Sequence, residues 1–138
     1  MDRKRLDQYR ALQKEIPKLK NKIKNLEERL SKVPIVSDKI MKSSDSFPYL
    51  IEHLKVEAEE PKAATEIKKQ IMINEKRLVD AEREKTIIEV FVKNIPDSTD
   101  RQIFEMIFLQ GKKHWEVADE LGYSRSRITQ KISEKLKD

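Results

Sequence analysis

The chain has 138 residues, 40% of them charged and 37% hydrophobic, with only 2 Gly and 5 Pro. That balance argues against a compact, turn-rich β domain and fits long solvated helices. The formal net charge of +5 suits a polyanionic partner, and the lack of cysteine excludes disulfides and thiolate metal sites.

No apolar run approaches the roughly 18 residues that a membrane span requires. The first residues, MDRKRLDQYR, contain no signal-peptide core. A cytoplasmic protein without a membrane partner is therefore expected.

Apolar residues first recur at Leu6, Tyr9, Leu12, Ile16, Leu19, Ile23, Leu26, Leu30 and Val33. From Leu12 the steps alternate four and three, the heptad seam of a coiled coil. Pro17 removes a backbone donor within this run, so a kink or a fresh helix start is expected there. Pro34 disfavours helix at Val33 and closes the run.

Residues 33–61 follow, with β-branched runs on either side of the polar KSSDSFP. That pattern reads as a small β-hairpin inserted between two helices. A second seam then appears at Ile67, Ile71, Asn74, Leu78, Ala81, Lys85, Ile88, Val92 and Ile95. Asn74 and Lys85 occupy seam positions, where polar side chains usually fix register or oligomer state. Each long helix would span on the order of 45 Å, and the heptads leave open whether the two pair within one chain or between two.

From Pro96 the pattern changes. Thr99 and Gln102 have capping-box spacing, Ile103, Phe104, Ile107 and Phe108 form an apolar face, and Gly111 is placed to stop the helix. A short helix HWEVADEL is expected to bury Trp115, Val117, Ala118 and Leu121. Gly122 then suits a turn with positive φ, Ser124 an N-cap, and Ile128, Ile132 and Leu136 the inner side of a last helix. The layout of Trp115 to Leu136 is that of a helix-turn-helix.

The last helix would turn Ser126, Arg127, Gln130 and Ser133 outward, with Arg125 and Thr129 on the flanks. These residue types read DNA: arginine forks onto guanine, glutamine pairs with adenine, and hydroxyls reach bases or phosphate. Recognition helices enter the major groove by their N-terminal end, where a cation is otherwise disfavoured by the helix dipole. From Tyr123 to Lys137 there are five Lys or Arg against one acid, Glu134. The preceding helix is instead acidic through Glu116, Asp119 and Glu120. Charge is sorted onto one helix, unlike a merely solvated face.

The segment LGYSRSRITQ resembles the second half of region 4 of the bacterial sigma-70 family, the helix-turn-helix that reads the promoter −35 element. The resemblance covers about residues 97–138 and rests on Arg125, Arg127, Ile128 and Gln130. It implies base readout by Arg125 and Gln130, and a backbone or structural contact by Arg127. Two positions depart from primary sigma factors: Ser126 stands in place of an acid and Thr129 in place of an arginine. The layout as a whole is similar to small sigma-70 region 4-like proteins of Gram-positive phages and prophages, including late-transcription activators. Nothing like region 2 is present, so a complete sigma factor is not expected.

The expected fold is thus mainly α: two long coiled-coil-type helices with a small β-hairpin between them, then a C-terminal helix-turn-helix. Residues 1–95 would serve oligomerisation or partner docking, and 96–138 would bind DNA. Base contacts are expected from Arg125, Ser126, Thr129 and Gln130, and backbone contacts from Ser124, Arg127, Lys131, Lys112 and Lys113. The expected partners are double-stranded DNA, RNA polymerase as a further candidate, and a second copy through the coiled coil.

The reading is of a sequence-specific transcription regulator. A phage DNA-packaging recognition subunit of the small-terminase type and a coiled-coil interaction scaffold are the alternatives. An enzyme is not expected. His53 and His114 are far apart and lack any nucleophile motif. The acidic run Glu57, Glu59 and Glu60 lacks the alternating loop of a calcium site. Neither a metal nor a cofactor is expected.

Overall fold

A computed structural model describes residues 1–34 and 61–136. Every regular element among them is helical: α1 (Arg3–Asp7), α2 (Tyr9–Ser31), α3 (Lys62–Lys93), α4 (Ser98–Phe104), a π-helical turn (Glu105–Leu109), α5 (His114–Leu121) and α6 (Arg125–Lys135). The fold is mainly α. The β-hairpin expected at 33–61 falls, except at its ends, outside the described residues.

Contacts divide the chain into two compact units, one formed by residues 1–18 and 78–138, the other by residues 19–77. In the second unit Leu26 of α2 packs with Ile67 and Ile71 of α3, bordered by Ile23, Leu30 and Val33. These residues belong to the two seams read from the sequence, and here they meet within one chain. Asn74, also in the seam, is 5% exposed. Its Nδ2 donates to the Gln70 carbonyl oxygen at 2.8 Å, while Oδ1, buried, has no hydrogen-bond partner.

Helix α2 runs through Pro17 without interruption; the fresh start expected there falls instead at Gln8, between α1 and α2. A proline inside a helix costs about 3 kcal/mol. Ile16 and Leu19 on either side of it are buried, and burial of aliphatic side chains is worth roughly 1.5–3 kcal/mol each. Packing of the seam therefore outweighs the lost backbone bond.

The core of the first unit draws on both ends of the chain. Leu6, Ile88, Val92, Ile103, Phe104, Val117, Ile128 and Ile132 are all fully buried in one cluster. Phe104 sits at its centre, edge-on to Phe91 at 6.3 Å and tilted against Phe108 at 5.3 Å. Residues on both sides of position 96 share this cluster, so the ends of the long helices and the C-terminal helices are stabilised together.

Helix α4 begins two residues earlier than its capping-box spacing suggests. Asp97, not Thr99, is the N-cap, and its Oδ2 accepts from the Asp100 amide at 2.9 Å. Gln102 Nε2 donates to Ser98 Oγ at 3.2 Å. A carboxylate is the stronger acceptor at the positive end of a helix, which explains the displacement. The helix then widens into the π-helical turn, where the Gln110 amide donates to the Glu105 carbonyl oxygen at 2.9 Å. The extra residue in that turn is accommodated just before Gly111, whose φ of 73° ends the element.

Candidate nucleic-acid interface

Helices α5 and α6 are joined through Gly122, Tyr123 and Ser124. Gly122 has φ 75° and ψ 27°, the left-handed conformation that a side chain would strain. Its amide donates to the Ala118 carbonyl oxygen and closes α5. Ser124 is extended, and its Oγ accepts from the Arg127 amide at 3.1 Å, starting α6. Val117 and Ala118 on α5 are buried with Ile128 and Ile132 on α6. The two helices are thereby fixed to the same core through small and β-branched contacts.

Trp115 is not part of that core: it is 50% exposed. The inward face of α5 is set by Val117, Ala118 and Leu121. At about 100° per residue, Trp115 lies roughly 110° away from the centre of that face. Hydrophobicity alone would bury it, but the helical phase turns it out.

With Ile128 and Ile132 held inside, Arg125, Ser126, Thr129 and Gln130 are all exposed on α6. Arg125 has no acidic partner among the described residues. Thr129 is more constrained. Its Oγ1 donates to the Arg125 carbonyl oxygen at 3.1 Å and lies 3.1 Å from His114 Nδ1. The ring of His114, at the start of α5, is held below its ordinary pKa by burial first, and then by the charges of Arg3 and Arg125.

The expected backbone-contact residues differ in how far they are already engaged. Lys113 is exposed at the N-cap of α5, where its amide donates to Glu116 Oε1 at 3.2 Å. Lys112 is paired with Glu120 at 2.9 Å. Arg127 lies 3.9 Å from Glu134, a long pairing. Lys131 is the most enclosed: Nζ is 3.4 Å from Asp100 Oδ1, with both side chains about four-fifths buried. The same ammonium lies 5.7 Å from the centre of the Tyr123 ring. It ties α6 to the first turn of α4.

Two contributors had no signal in the sequence. Arg10 of α2 donates through Nη1 to the Gln110 carbonyl oxygen at 3.1 Å, bracing the loop that leads into α5. Arg3 of α1 is exposed, and its charge adds to the lowering of the His114 pKa. Each lies about one hundred residues in sequence from its partner, beyond the reach of any local spacing rule.

A concave space of about 220 Å³ lies in the second unit, lined by Lys22, Asn25, Leu26, Arg29, Gln70 and Asn74. It contains none of the residues expected to act. Among the described residues no group of three or more His, Asp or Glu side chains could hold a metal, and no helix is long and apolar enough to cross a membrane. The exposed face of α6 carries Arg125, Ser126, Thr129 and Gln130. Comparisons with protein families, curated proteins and solved structures found no match for this chain.

Proposed function

We propose that the chain is a sequence-specific DNA-binding transcription regulator of the sigma-70 region 4-like type. In this reading α5, the Gly122 turn and α6 form a helix-turn-helix, and α6 is the recognition helix. Arg125 and Gln130 read base edges from its first two turns, with Ser126 and Thr129 beside them. Ser124, Arg127 and the lysines at 112 and 113 serve the phosphate backbone, whereas Lys131, enclosed against Asp100, holds α6 in place.

The observation that supports this reading best is the division of α6 into two faces. Ile128 and Ile132 are wholly buried, while Arg125, Ser126 and Gln130 are exposed with no side-chain partner among the described residues. A guanidinium left unpaired at a helix start is stabilised by neither the helix dipole nor a carboxylate. A phosphate or the O6 and N7 atoms of guanine would supply the missing interaction.

The long helices would act as a coiled-coil-type platform for docking RNA polymerase or a second copy. Their seams do not require a partner chain for burial, because residues from both already pack together in the second unit. A single recognition helix covers little surface, so a partner on the same duplex would raise affinity through effective concentration.

Selection of bound duplexes from a random pool tests the proposal. A recurrent short motif is expected, bound at least 1,000-fold more tightly than random duplex. A pool that shows no enrichment after repeated rounds at low salt would overturn the assignment.

A further inference from the structure

Residues of both long helices line the concave space of about 220 Å³ in the second unit. Lys22 and Arg29 are two helical turns apart and rise from the same side of α2, with Asn25 and Leu26 between them. Gln70 and Asn74, one turn apart, line it from α3. Leu26 is buried and supplies an apolar wall, while Lys22, Asn25, Arg29 and Gln70 are exposed. The lining thus combines two cations with three amides and contains no acid. One water needs about 10–15 Å³ of such space, so the concavity takes a larger group.

Asn74 distinguishes this space from a groove that merely holds solvent. Its side chain is 5% exposed, and Nδ2 donates to the Gln70 carbonyl oxygen of its own helix at 2.8 Å. Its Oδ1 is buried and meets no donor among the described residues. A seam asparagine that only fixed register would have its oxygen met by a donor from the facing helix. A buried acceptor left unpaired is destabilising, so a ligand that supplies the donor gains by doing so. The χ2 torsion of asparagine is broad and nearly two-fold, which lets Oδ1 turn toward a group held in the concavity.

We propose that the concavity binds a small oxyanion that keeps a hydroxyl, with inorganic hydrogen phosphate as the ligand. Lys22 and Arg29 meet its negative charge through charge-assisted hydrogen bonds. The amides of Asn25 and Gln70 donate to its remaining oxygens, and its O–H donates to Asn74 Oδ1. Sulfate has the same shape and charge but no hydroxyl at neutral pH, so it leaves Asn74 unpaired. A buried polar group rejects a ligand that cannot pair with it far more sharply than an apolar wall does. This site does not rest on the DNA-binding reading: its residues belong to the second unit, whereas the residues of α6 belong to the first.

The test is isothermal titration of the full chain at pH 7.5 and constant ionic strength with inorganic phosphate, sulfate and methyl phosphate. Phosphate should bind at one site, about tenfold or more tightly than sulfate, as one hydrogen bond involving a charged group allows. Methyl phosphate loses its last hydroxyl proton near pH 6, at about the value of other phosphate monoesters, and should follow sulfate. The side-chain amide signals of Asn25, Gln70 and Asn74 should shift on phosphate binding in nitrogen–proton NMR spectra. Asn74→Leu should bind phosphate and sulfate equally weakly, whereas Arg29→Gln should weaken both by a similar factor. Circular dichroism melting verifies that each variant remains folded. Equal affinity of the wild-type chain for phosphate and sulfate would mean an adventitious ion only and would overturn the proposal. So would the absence of phosphate binding, methyl phosphate binding as tightly as inorganic phosphate, or unchanged discrimination in Asn74→Leu.

Discussion

Arg10 and Gly111 meet across the chain: the Arg10 guanidinium lies where a side chain on Gly111 would be, with Nε only 2.9 Å from the position of an added Cβ. The glycine also has φ 73°, so alanine there faces two penalties. Gly122 has nearly the same φ, at 75°, but open space around it. Left-handed strain costs alanine about 1–2 kcal/mol at either position. Gly111→Ala should therefore destabilise more than Gly122→Ala in urea unfolding, because it also displaces Arg10 from the Gln110 carbonyl. In an Arg10→Ala background the two glycine substitutions should become equivalent.

Trp115 and Ile128 offer a contrast between hydrophobicity and burial. Ile128 is fully buried and Trp115 half exposed. Ile128→Ala should cost about 2–5 kcal/mol, whereas Trp115→Ala should cost under about 1 kcal/mol by comparison with other surface substitutions. Because Trp115 is the sole tryptophan, its fluorescence reports this site directly. A red-shifted emission maximum in the native protein, accessible to iodide, is expected.

The pH response of His114 has a definite sign. Burial, Arg3 and Arg125 hold its folded pKa below the ordinary value. As pH falls through the ordinary histidine range, the unfolded chain takes up the proton first and stability declines, until the folded ring is protonated too. Urea unfolding at pH 7.5 and pH 5.5 should show this loss, with a shallower slope in His114→Gln. Bound phosphate would offset the two guanidinium charges and raise the pKa of the ring. DNA binding should therefore take up protons and tighten as pH falls through the same range, a dependence weakened in His114→Gln. Glu84, lowered by its hydrogen bond to Arg5, contributes separately. Its stabilisation is present above the ordinary carboxylate range and lost as pH falls below it.

Asn74 is buried with its Oδ1 unsatisfied. An unpaired buried acceptor costs about 1–3 kcal/mol. Asn74→Leu should consequently raise stability by about 1 kcal/mol, checked by chemical denaturation. A loss of stability instead would indicate that the amide is satisfied in solution.

The seams were legible because helix periodicity is local. Nearly all of the fully buried residues, from Leu6 and Ile88 to Ile128 and Ile132, belong to apolar series read from spacing. Gly122 and Ser124 were legible for a similar reason, since a left-handed turn and an N-cap each demand particular residue types. Trp115 was misplaced because size and hydrophobicity compete with helical phase, and phase decided. Thr99 was misplaced because Asp97, two residues earlier, is the stronger capping acceptor. Pro17 inside α2 and the break at Gln8 reflect tertiary packing that overrides local propensity. The hydrogen bond of Arg10 to the Gln110 carbonyl oxygen and the effect of the Arg3 charge on His114 link positions about one hundred residues apart, where no sequence pattern signals them.

The central claim is that α6 reads base edges through Arg125 and Gln130. It is tested most directly by measuring, at one salt concentration, the ratio of affinities for a selected duplex and its scrambled counterpart in wild-type, Arg125→Ala and Gln130→Ala proteins. Each substitution is expected to cost about 1–3 kcal/mol on the selected duplex and to relax preference at a single base position. Equal losses on both duplexes, or an unchanged ratio, would contradict the claim.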